Sequence, residues 1–462
     1  MVLNHIKISK FFGYQSLETI SKLGLNFLFG IFFARAFGPE ILGQYAFIFF
    51  YYSILITLGE SGLTQISVKA KNVGSYYYLN LLKILTIIFL VISLIFLFLI
   101  KFLNNELVTL LYIIPLISFF EIFSSIPKIK LYRELNFKTL FKCTIIAEII
   151  SGFLIIYLYI KNYNISGLNL MILYLATKQL ISFILLCFLS KLNFFYNENK
   201  KIYSEKVDIF SSFKILFMSI LDSIYRNVYP LILGQYGYGN NQIGIYSRVD
   251  NLGKLSTSPI ATIVQKVSYP ILSKLDYKDK NYKSLISSVM SFATNLSIIT
   301  STLLMLFGHE IVTIIYGNLF YDAGTYIKPI LFMTVLFPIN AILINEYILS
   351  GKFKELYFSE IIRKLFGFFF LVLAASYSLT AFAWAIGIWG VISTLINIFF
   401  LGERISFIRK SIYIISIKSL SLIACTYFLS LFFENLYVKT SLFAIISIYL
   451  LIDLKQIYES FR

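Results

Sequence analysis

Two stretches, Asn136–Phe153 (NFKTLFKCTIIAEIISGF) and Lys352–Phe369 (KFKELYFSEIIRKLFGFF), align without a gap and share Phe, Lys, Leu, Ile, Ile and Phe at matching positions. Each leads into an apolar run, so the pair reads as one helix that occurs twice. The chain has 462 residues, of which 58% are hydrophobic and 14% charged. An ordinary soluble domain is roughly 45–50% apolar and about 25% charged, so a soluble fold is excluded. About 20 apolar residues cross a bilayer as a helix, because only a helix satisfies its own backbone groups in lipid. Working outward from the repeat, spans are read at 12–36, 41–64, 81–100, 108–127, 142–160, 167–190, 212–234, 244–268, 287–308, 329–350, 361–378, 380–402, 416–433 and 439–453. The fold class is therefore an all-α integral membrane protein with about fourteen spanning helices. The first repeated stretch leads into the fifth span and the second into the eleventh. A separation of six spans preserves orientation, which predicts two parallel six-helix lobes, residues 1–190 and 212–402. A cytoplasmic linker at 191–211 joins them, and 403–462 holds two further helices and a tail.

The chain carries 40 Lys and Arg against 23 Asp and Glu, a formal charge of +17. The basic residues fall in short gaps between apolar runs, as at Lys128–Lys142 and Lys274–Lys283, and not on a folded polar surface, so nucleic-acid binding is not expected. With the N-terminus inside, cytoplasmic segments hold Lys7, Lys69, Lys128, Arg133, Lys200, Lys278, Lys352, Arg404 and others. The opposite side holds Arg35, Lys101, Lys161, Lys328 and Lys439. That ratio, roughly thirty to five, predicts a cytoplasmic N-terminus, with Tyr76, Asn197 and Asp279 on the same side. Cys143, Cys187 and Cys425 each sit in an apolar run, and His5 and His309 lie far apart, so neither a disulfide framework nor a metal site is expected, and no cofactor. Glu18 and Lys22 interrupt what would be the core of a cleaved signal, so the first helix is expected to be retained. His309 and Glu310 are expected to begin an outer loop. Gly234, Gly237 and Gly239 are read as an outer turn, lacking the strand and spacing of a phosphate loop. No loop is long enough for an extramembrane catalytic domain, and a non-enzymatic role is expected.

A charge at mid-bilayer costs about 2.5–3.5 kcal/mol on insertion scales, so it normally faces a cavity or a partner. Glu18, Lys22 and Asn26 align on one face of the first span at four-residue spacing. The seventh span carries Asp222 and Arg226 at the same spacing, and the eighth carries Arg248, Asp250, Asn251 and Lys254. Further polar faces are Ser118, Glu121 and Ser125 in the fourth span, Thr144, Glu148 and Ser151 in the fifth, and Tyr174, Lys178 and Ser182 in the sixth. The pattern suggests a water-filled cavity, cationic through Lys22, Arg226, Arg248, Lys254 and Lys178, that holds an anionic group. Its polar groups Glu18, Asn26, Asp222, Asp250, Asn251, Glu121 and Glu148 would include sites for a coupling proton or sodium ion. The opposing reading makes Glu18–Lys22, Asp222–Arg226 and Asp250–Lys254 local ion pairs that fix helix contacts. Arg248 and Lys178 have no opposite charge one turn away on their own helices, and lean functional.

Phe32–Gln44 (FFARAFGPEILGQ) and Gly59–Lys71 (GESGLTQISVKAK) resemble the polysaccharide transporters of the multidrug/oligosaccharidyl-lipid/polysaccharide flippase superfamily, the O-antigen flippases in particular. Gln242–Asn251 (QIGIYSRVDN), Ser258-Pro259, Tyr269–Leu275 (YPILSKL) and Ile311–Gly317 (IVTIIYG) continue the resemblance, which runs from about residue 10 to 430. It implies two six-helix lobes around a V-shaped cavity, with two C-terminal helices. It also implies a substrate, an undecaprenyl-diphosphate-linked oligosaccharide moved from the inner to the outer leaflet of a bacterial inner membrane, and a polysaccharide polymerase and chain-length regulator as partners. Related flippases place cations on helices 1, 7 and 8, where Lys22, Arg226, Arg248 and Lys254 stand here.

Drug or cation antiporters and the peptidoglycan-precursor (lipid II) flippase belong to the same superfamily. An antiporter would favour an aromatic, net acidic cavity, the opposite of the cations found here. A membrane polymerase or glycosyltransferase would need a long loop bearing acids and arginines, which 191–211 and 309–328 do not supply.

Overall fold

The structure, a computed structural model, describes residues 5–60, 67, 75–100, 108–134, 136–161, 165–191, 209–272, 279–402, 409–433 and 435–459, with side chains of the first helix described from residue 21. Most of the predicted linker at 191–211, Asn197 included, lies outside the described residues, as does the side chain of Glu18. The helices are α1 (His5–Glu60), α2 (Ser75–Ile100), α3 (Val108–Leu111), α4 (Ile114–Arg133), α5 (Phe137–Ile160), α6 (Gly167–Leu189), α7 (Ile209–Asn227), α8 (Tyr229–Gln235), α9 (Asn240–Leu272), α10 (Lys280–Tyr316), α11 (Ala323–Thr334), α12 (Phe337–Leu349), α13 (Phe353–Ala375), α14 (Leu379–Leu401), α15 (Arg409–Phe432) and α16 (Leu436–Glu459). Among the described residues ten helices are long and apolar enough to cross a membrane. The more polar α7, α9 and α13 and the second limb of α1 complete the fourteen-span plan. The protein is a multi-pass membrane protein of two lobes with two additional C-terminal helices.

Several boundaries differ from expectation for local reasons. The first two predicted spans form one rod, bent at Gly38, whose φ of 73° is open to glycine, followed by Pro39, which removes a backbone donor. The fourth and tenth spans are each broken one turn before a proline, at Tyr112–Ile113 before Pro115 and at Val335–Leu336 before Pro338. His309 and Glu310 do not begin an outer loop: α10 continues to Tyr316, and the apolar run Ile311–Ile315 carries it on. His309 Nδ1 lies 3.0 Å from the Tyr321 carbonyl oxygen, which folds the short 3-10 turn Asn318–Phe320 back over the helix end.

The repeat is visible in backbone detail. Asn136 and Lys352 both precede their helices with nearly the same dihedrals, φ −89°, ψ 61° and φ −80°, ψ 55°. Each amide donates five residues back, Asn136 to Leu131 at 2.9 Å and Lys352 to Tyr347 at 3.0 Å. The following hairpins also match, since Ser166 caps α6 and Ser378 caps α14 through side-chain oxygens that accept from the amides of Asn169 and Ala381.

The chain divides into two compact units, residues 1–231 with 239–241 and residues 232–238 with 242–462. In the first, α5 packs on α6 and on α1, and α4 packs on α6 and on α1. Its core is apolar, with Tyr52 and Leu55 of α1, Leu81 and Leu85 of α2, Ile122 and Ile126 of α4 and Leu168 and Ile172 of α6. The helix α7 groups with this unit, whereas its span was expected in the second lobe. Ser53 holds it there, accepting from Ser223 Oγ on its carbonyl oxygen at 3.0 Å and from Asn227 Nδ2 on its Oγ at 3.2 Å.

In the second unit α10 is central, packing on α11, α12, α15 and α16. The last helix runs antiparallel to α10 in strict register. Asn295 Nδ2 donates to Asp453 Oδ2 at 2.6 Å, the Phe307 and Phe443 rings lie 6.3 Å apart, and Lys439 Nζ meets Glu310 Oε1 at 2.6 Å. Lys418 of α15 reaches the same Asp453 oxygen at 2.6 Å. Asp453 therefore ties three helices together. Replacing Lys418 by Met is expected to strand that carboxylate and lower the yield of folded protein, and adding Asp453→Leu is expected to restore most of it. The pair is partly exposed, so the cost is about 1–2 kcal/mol, below that of a fully buried pair. Size-exclusion of detergent-extracted protein measures it, and a double variant no better than the single would refute the stranded charge as the cause of the loss.

Candidate substrate-binding site

In the first unit the site is set by how closely α1 approaches α5. Gly152 of α5 leaves room for the Phe29 ring; a Cβ there would lie 1.9 Å from Phe29 Cζ. Phe29 and Phe33 in turn pack on Tyr174 of α6, with ring centroids 5.8 and 5.1 Å away. Asn26 lies one turn before Phe29 on α1 and so faces α6. Its Oδ1 accepts from Lys178 Nζ at 3.1 Å. The same ammonium is 2.6 Å from Glu148 Oε2, while Tyr174 Oη donates to Glu148 Oε1 at 2.5 Å.

The expectation that Lys178 lacks a partner is thus corrected. Its partner is on the neighbouring helix, 30 residues away in sequence, where a search for opposite charge one turn along the same helix does not reach. Glu148 is 2% exposed, whereas Asn26 and Lys22 are exposed, so the cluster runs from a buried carboxylate to an open cationic rim. Lys22 is near enough to Lys178 for the two ammonium groups to repel. Glu121 of α4 is electrostatically coupled to Lys178 as well and pairs with Lys128 at 2.6 Å, a partner the sequence reading did not assign. Several predicted polar-face hydroxyls have a simpler role. Ser118, Ser125, Thr144 and Ser151 donate to carbonyl oxygens three or four residues earlier in their own helices.

The remaining candidates form local arrangements. On α7, Arg226 Nε lies 2.8 Å from Asp222 Oδ2, with the Arg226 side chain 67% exposed. On α9, in the second unit, Lys254 Nζ lies 2.7 Å from Asp250 Oδ2, and Asn251 is exposed. Both pairs match the local ion-pair reading. Arg248 differs: its Nε donates to Ser247 Oγ at 3.3 Å, buried Tyr316 lies nearby, and among the described residues no carboxylate pairs with it. A further charged cluster on α13 was not foreseen, with Glu360 pairing Arg363 and reaching Lys364 at 3.0 Å. The predicted span began at residue 361 and cut through it. The repeat alignment held the missing signal, since matching Lys352 to Asn136 starts the helix at Phe353. Among the described residues no cluster suited to a metal ion occurs.

Intramembrane cations thus occur in both units. The model of the family described as "Polysaccharide biosynthesis protein" matches residues 32–325. The chain belongs to that family. A sequence comparison with curated proteins finds no match. Among solved structures, this family member is similar to the lipid II flippase MurJ in an inward closed conformation, with a TM-score of 0.70 at 16% identity over 97% of this chain and 99% of that one. It is also similar to an inward-facing multidrug resistance MATE family transporter of the MOP superfamily, with a TM-score of 0.64 at 16% identity over 84% and 96% of the two chains. The MATE multidrug transporter DinF-BH gives a TM-score of 0.62 at 16% identity over 88% and 98%. At such identities the likeness establishes the fold, which this polysaccharide biosynthesis protein shares with transporters.

Proposed function

We propose that this protein is a flippase that carries an undecaprenyl-diphosphate-linked oligosaccharide from the inner to the outer leaflet of a bacterial inner membrane by alternating access, with its N-terminus in the cytoplasm. The observation that carries the reading is Arg248, a guanidinium within a spanning helix that no described carboxylate neutralises, in a transporter fold of a polysaccharide biosynthesis family. A diphosphate cannot enter hydrocarbon, and a cation that remains unneutralised in the membrane offers it a charge-assisted contact. The first unit has cations of its own in Lys22 and in Lys178, the latter paired with Glu148, and the polyprenyl tail remains in lipid. The polymer is O-antigen, capsule or a similar surface polysaccharide, built with a polymerase and a chain-length regulator, and a proton or sodium ion drives the cycle. The protein acts as a carrier and makes no covalent change to its cargo.

Deletion of the gene is expected to abolish the surface polymer and leave lipid-linked repeat units on the cytoplasmic side. Normal polymer in the deletion strain, with no second flippase compensating, would refute the reading. A lipid II flippase is the second reading, favoured by the match to MurJ over 97% of the chain. It predicts arrested growth on deletion in place of lost surface polymer.

A further inference from the structure

We propose that Lys178 exchanges Glu148 for a phosphate group of the substrate, and that Glu148 takes up a proton as it does so. The inference deepens the flippase reading and rests on it. The Lys178 ammonium stands at a boundary, with the Glu148 carboxylate 2.6 Å to one side and Asn26 Oδ1 3.1 Å to the other. Glu148 is almost fully buried, whereas Asn26 and Lys22 open to the surface of the unit. A phosphate drawn to Lys22 thus arrives beside an ammonium that is already neutralised. The carboxylate occupies the position of the anion the site would bind.

For Lys178 to bond a phosphate oxygen, its contact with Glu148 must break or weaken. Glu148 would then remain in a buried pocket with one described donor, the Tyr174 hydroxyl at 2.5 Å. A carboxylate left there without a counter-ion carries a heavy desolvation cost, and protonation removes it. The balance is simple: Lys178 stays an ammonium, its N–H···O bond passes from carboxylate to phosphate, and Glu148 gains one proton from water on the open side. The protonated acid still accepts from Tyr174 on its carbonyl oxygen. When it loses that proton, the carboxylate reclaims Lys178 and the phosphate is released. The other charged groups facing the pair are Lys22 on the described part of α1 and, on α4, Glu121 with Lys128.

The test is calorimetry on the full chain in nanodiscs of neutral lipid, with farnesyl diphosphate as the probe, in buffers of different ionisation enthalpy across the neutral pH range. The probe's own titration is common to every variant, so the difference between variants reports the protein. The wild type is expected to take up as much as one proton more per bound diphosphate than Glu148→Gln. Where Glu148 is ionised in the free protein, wild-type affinity should fall about tenfold more per pH unit than that of the variant. Glu148→Gln should bind at least as tightly as wild type, because the competing anion is gone. Tyr174→Phe removes a donor to the carboxylate and should shift the binding curve to higher pH. Equal proton counts with parallel pH slopes would overturn the exchange while leaving the substrate reading intact, as would weaker binding by a well-folded Glu148→Gln. If that variant does not fold, an unshifted Tyr174→Phe curve overturns the exchange by itself. A wild type that binds no diphosphate at any pH overturns both the exchange and the flippase reading.

Discussion

Replacing Arg248 by Ala is expected to remove most transport while membrane levels of the protein stay unchanged, and replacing it by Lys is expected to keep part of it. The contrast comes from its surroundings. Lys254 and Arg226 are held by Asp250 and Asp222 at 2.7 and 2.8 Å, so their charges are already partly spent within the protein. Arg248 is only half-buried and is oriented by Ser247 Oγ at 3.3 Å, a weak neutral contact that leaves most of its five donors for a ligand. A charge-assisted contact contributes about 1.5–3 kcal/mol, which corresponds to a roughly ten- to hundredfold loss of affinity when it is removed. Lysine keeps the charge and loses the fork geometry, so an intermediate result follows. Restoration of surface polysaccharide, scored against membrane-inserted protein, measures the effect. If Arg248 served only to hold α9 in place, the alanine variant would lose protein and not transport per molecule, and lysine would have no reason to rescue it.

Gly387→Val is expected to prevent accumulation of folded protein. At this point α14 crosses α11 so closely that a Cβ on Gly387 would lie 2.2 Å from the Pro329 carbonyl oxygen, and one on Gly390 would lie 2.1 Å from Met333 Cγ. Small residues at such crossings let helices meet backbone to backbone in a membrane, where no hydrophobic force drives them together. A flexible side chain could move aside, but the Pro329 obstacle is backbone. The helices must separate, and overpacking of this kind costs about 1–3 kcal/mol, with a backbone obstacle placing this site at the upper end. Gly239→Ala is the control, because nothing lies within 4 Å of its added Cβ. Thermal stability of the detergent-extracted protein checks both, and a Gly387→Val variant as stable as wild type would disprove the close crossing.

The spans were legible because hydropathy over about 20 residues is a local property of the chain. The repeat was legible for the same reason, since Phe137, Lys138 and Leu140 recur as Phe353, Lys354 and Leu356 in a single ungapped register. The ion pairs along one helix, Asp222–Arg226 and Asp250–Lys254, could be read from spacing alone. Glu148–Lys178, Glu121–Lys128 and Lys418–Asp453 could not, because each depends on which helices touch, or on a separation of two turns past Pro127. Helix breaks follow proline and glycine, yet Gly38–Pro39, which separates two apolar runs in the sequence, only bends a continuous rod. In the candidate site the residue types were therefore readable before their partners were, and the partners decide which cations remain available to a ligand.

The register between α10 and α16 also has a meaning in time. Glu310 waits 129 residues for Lys439, and Asn295 waits 158 residues for Asp453. At about 5–20 residues synthesised per second, α10 enters the membrane roughly 6–30 s before the chain that will complete it. During that interval a carboxylate and an amide that end up bonded to α16 depend on water, lipid headgroups or the insertion machinery. A ribosome that stalls before residue 436 would release a protein with its central helix still unlocked. The last helix to be made is thus the one that supplies both bonds, and the register of α10 is completed only when synthesis is nearly over.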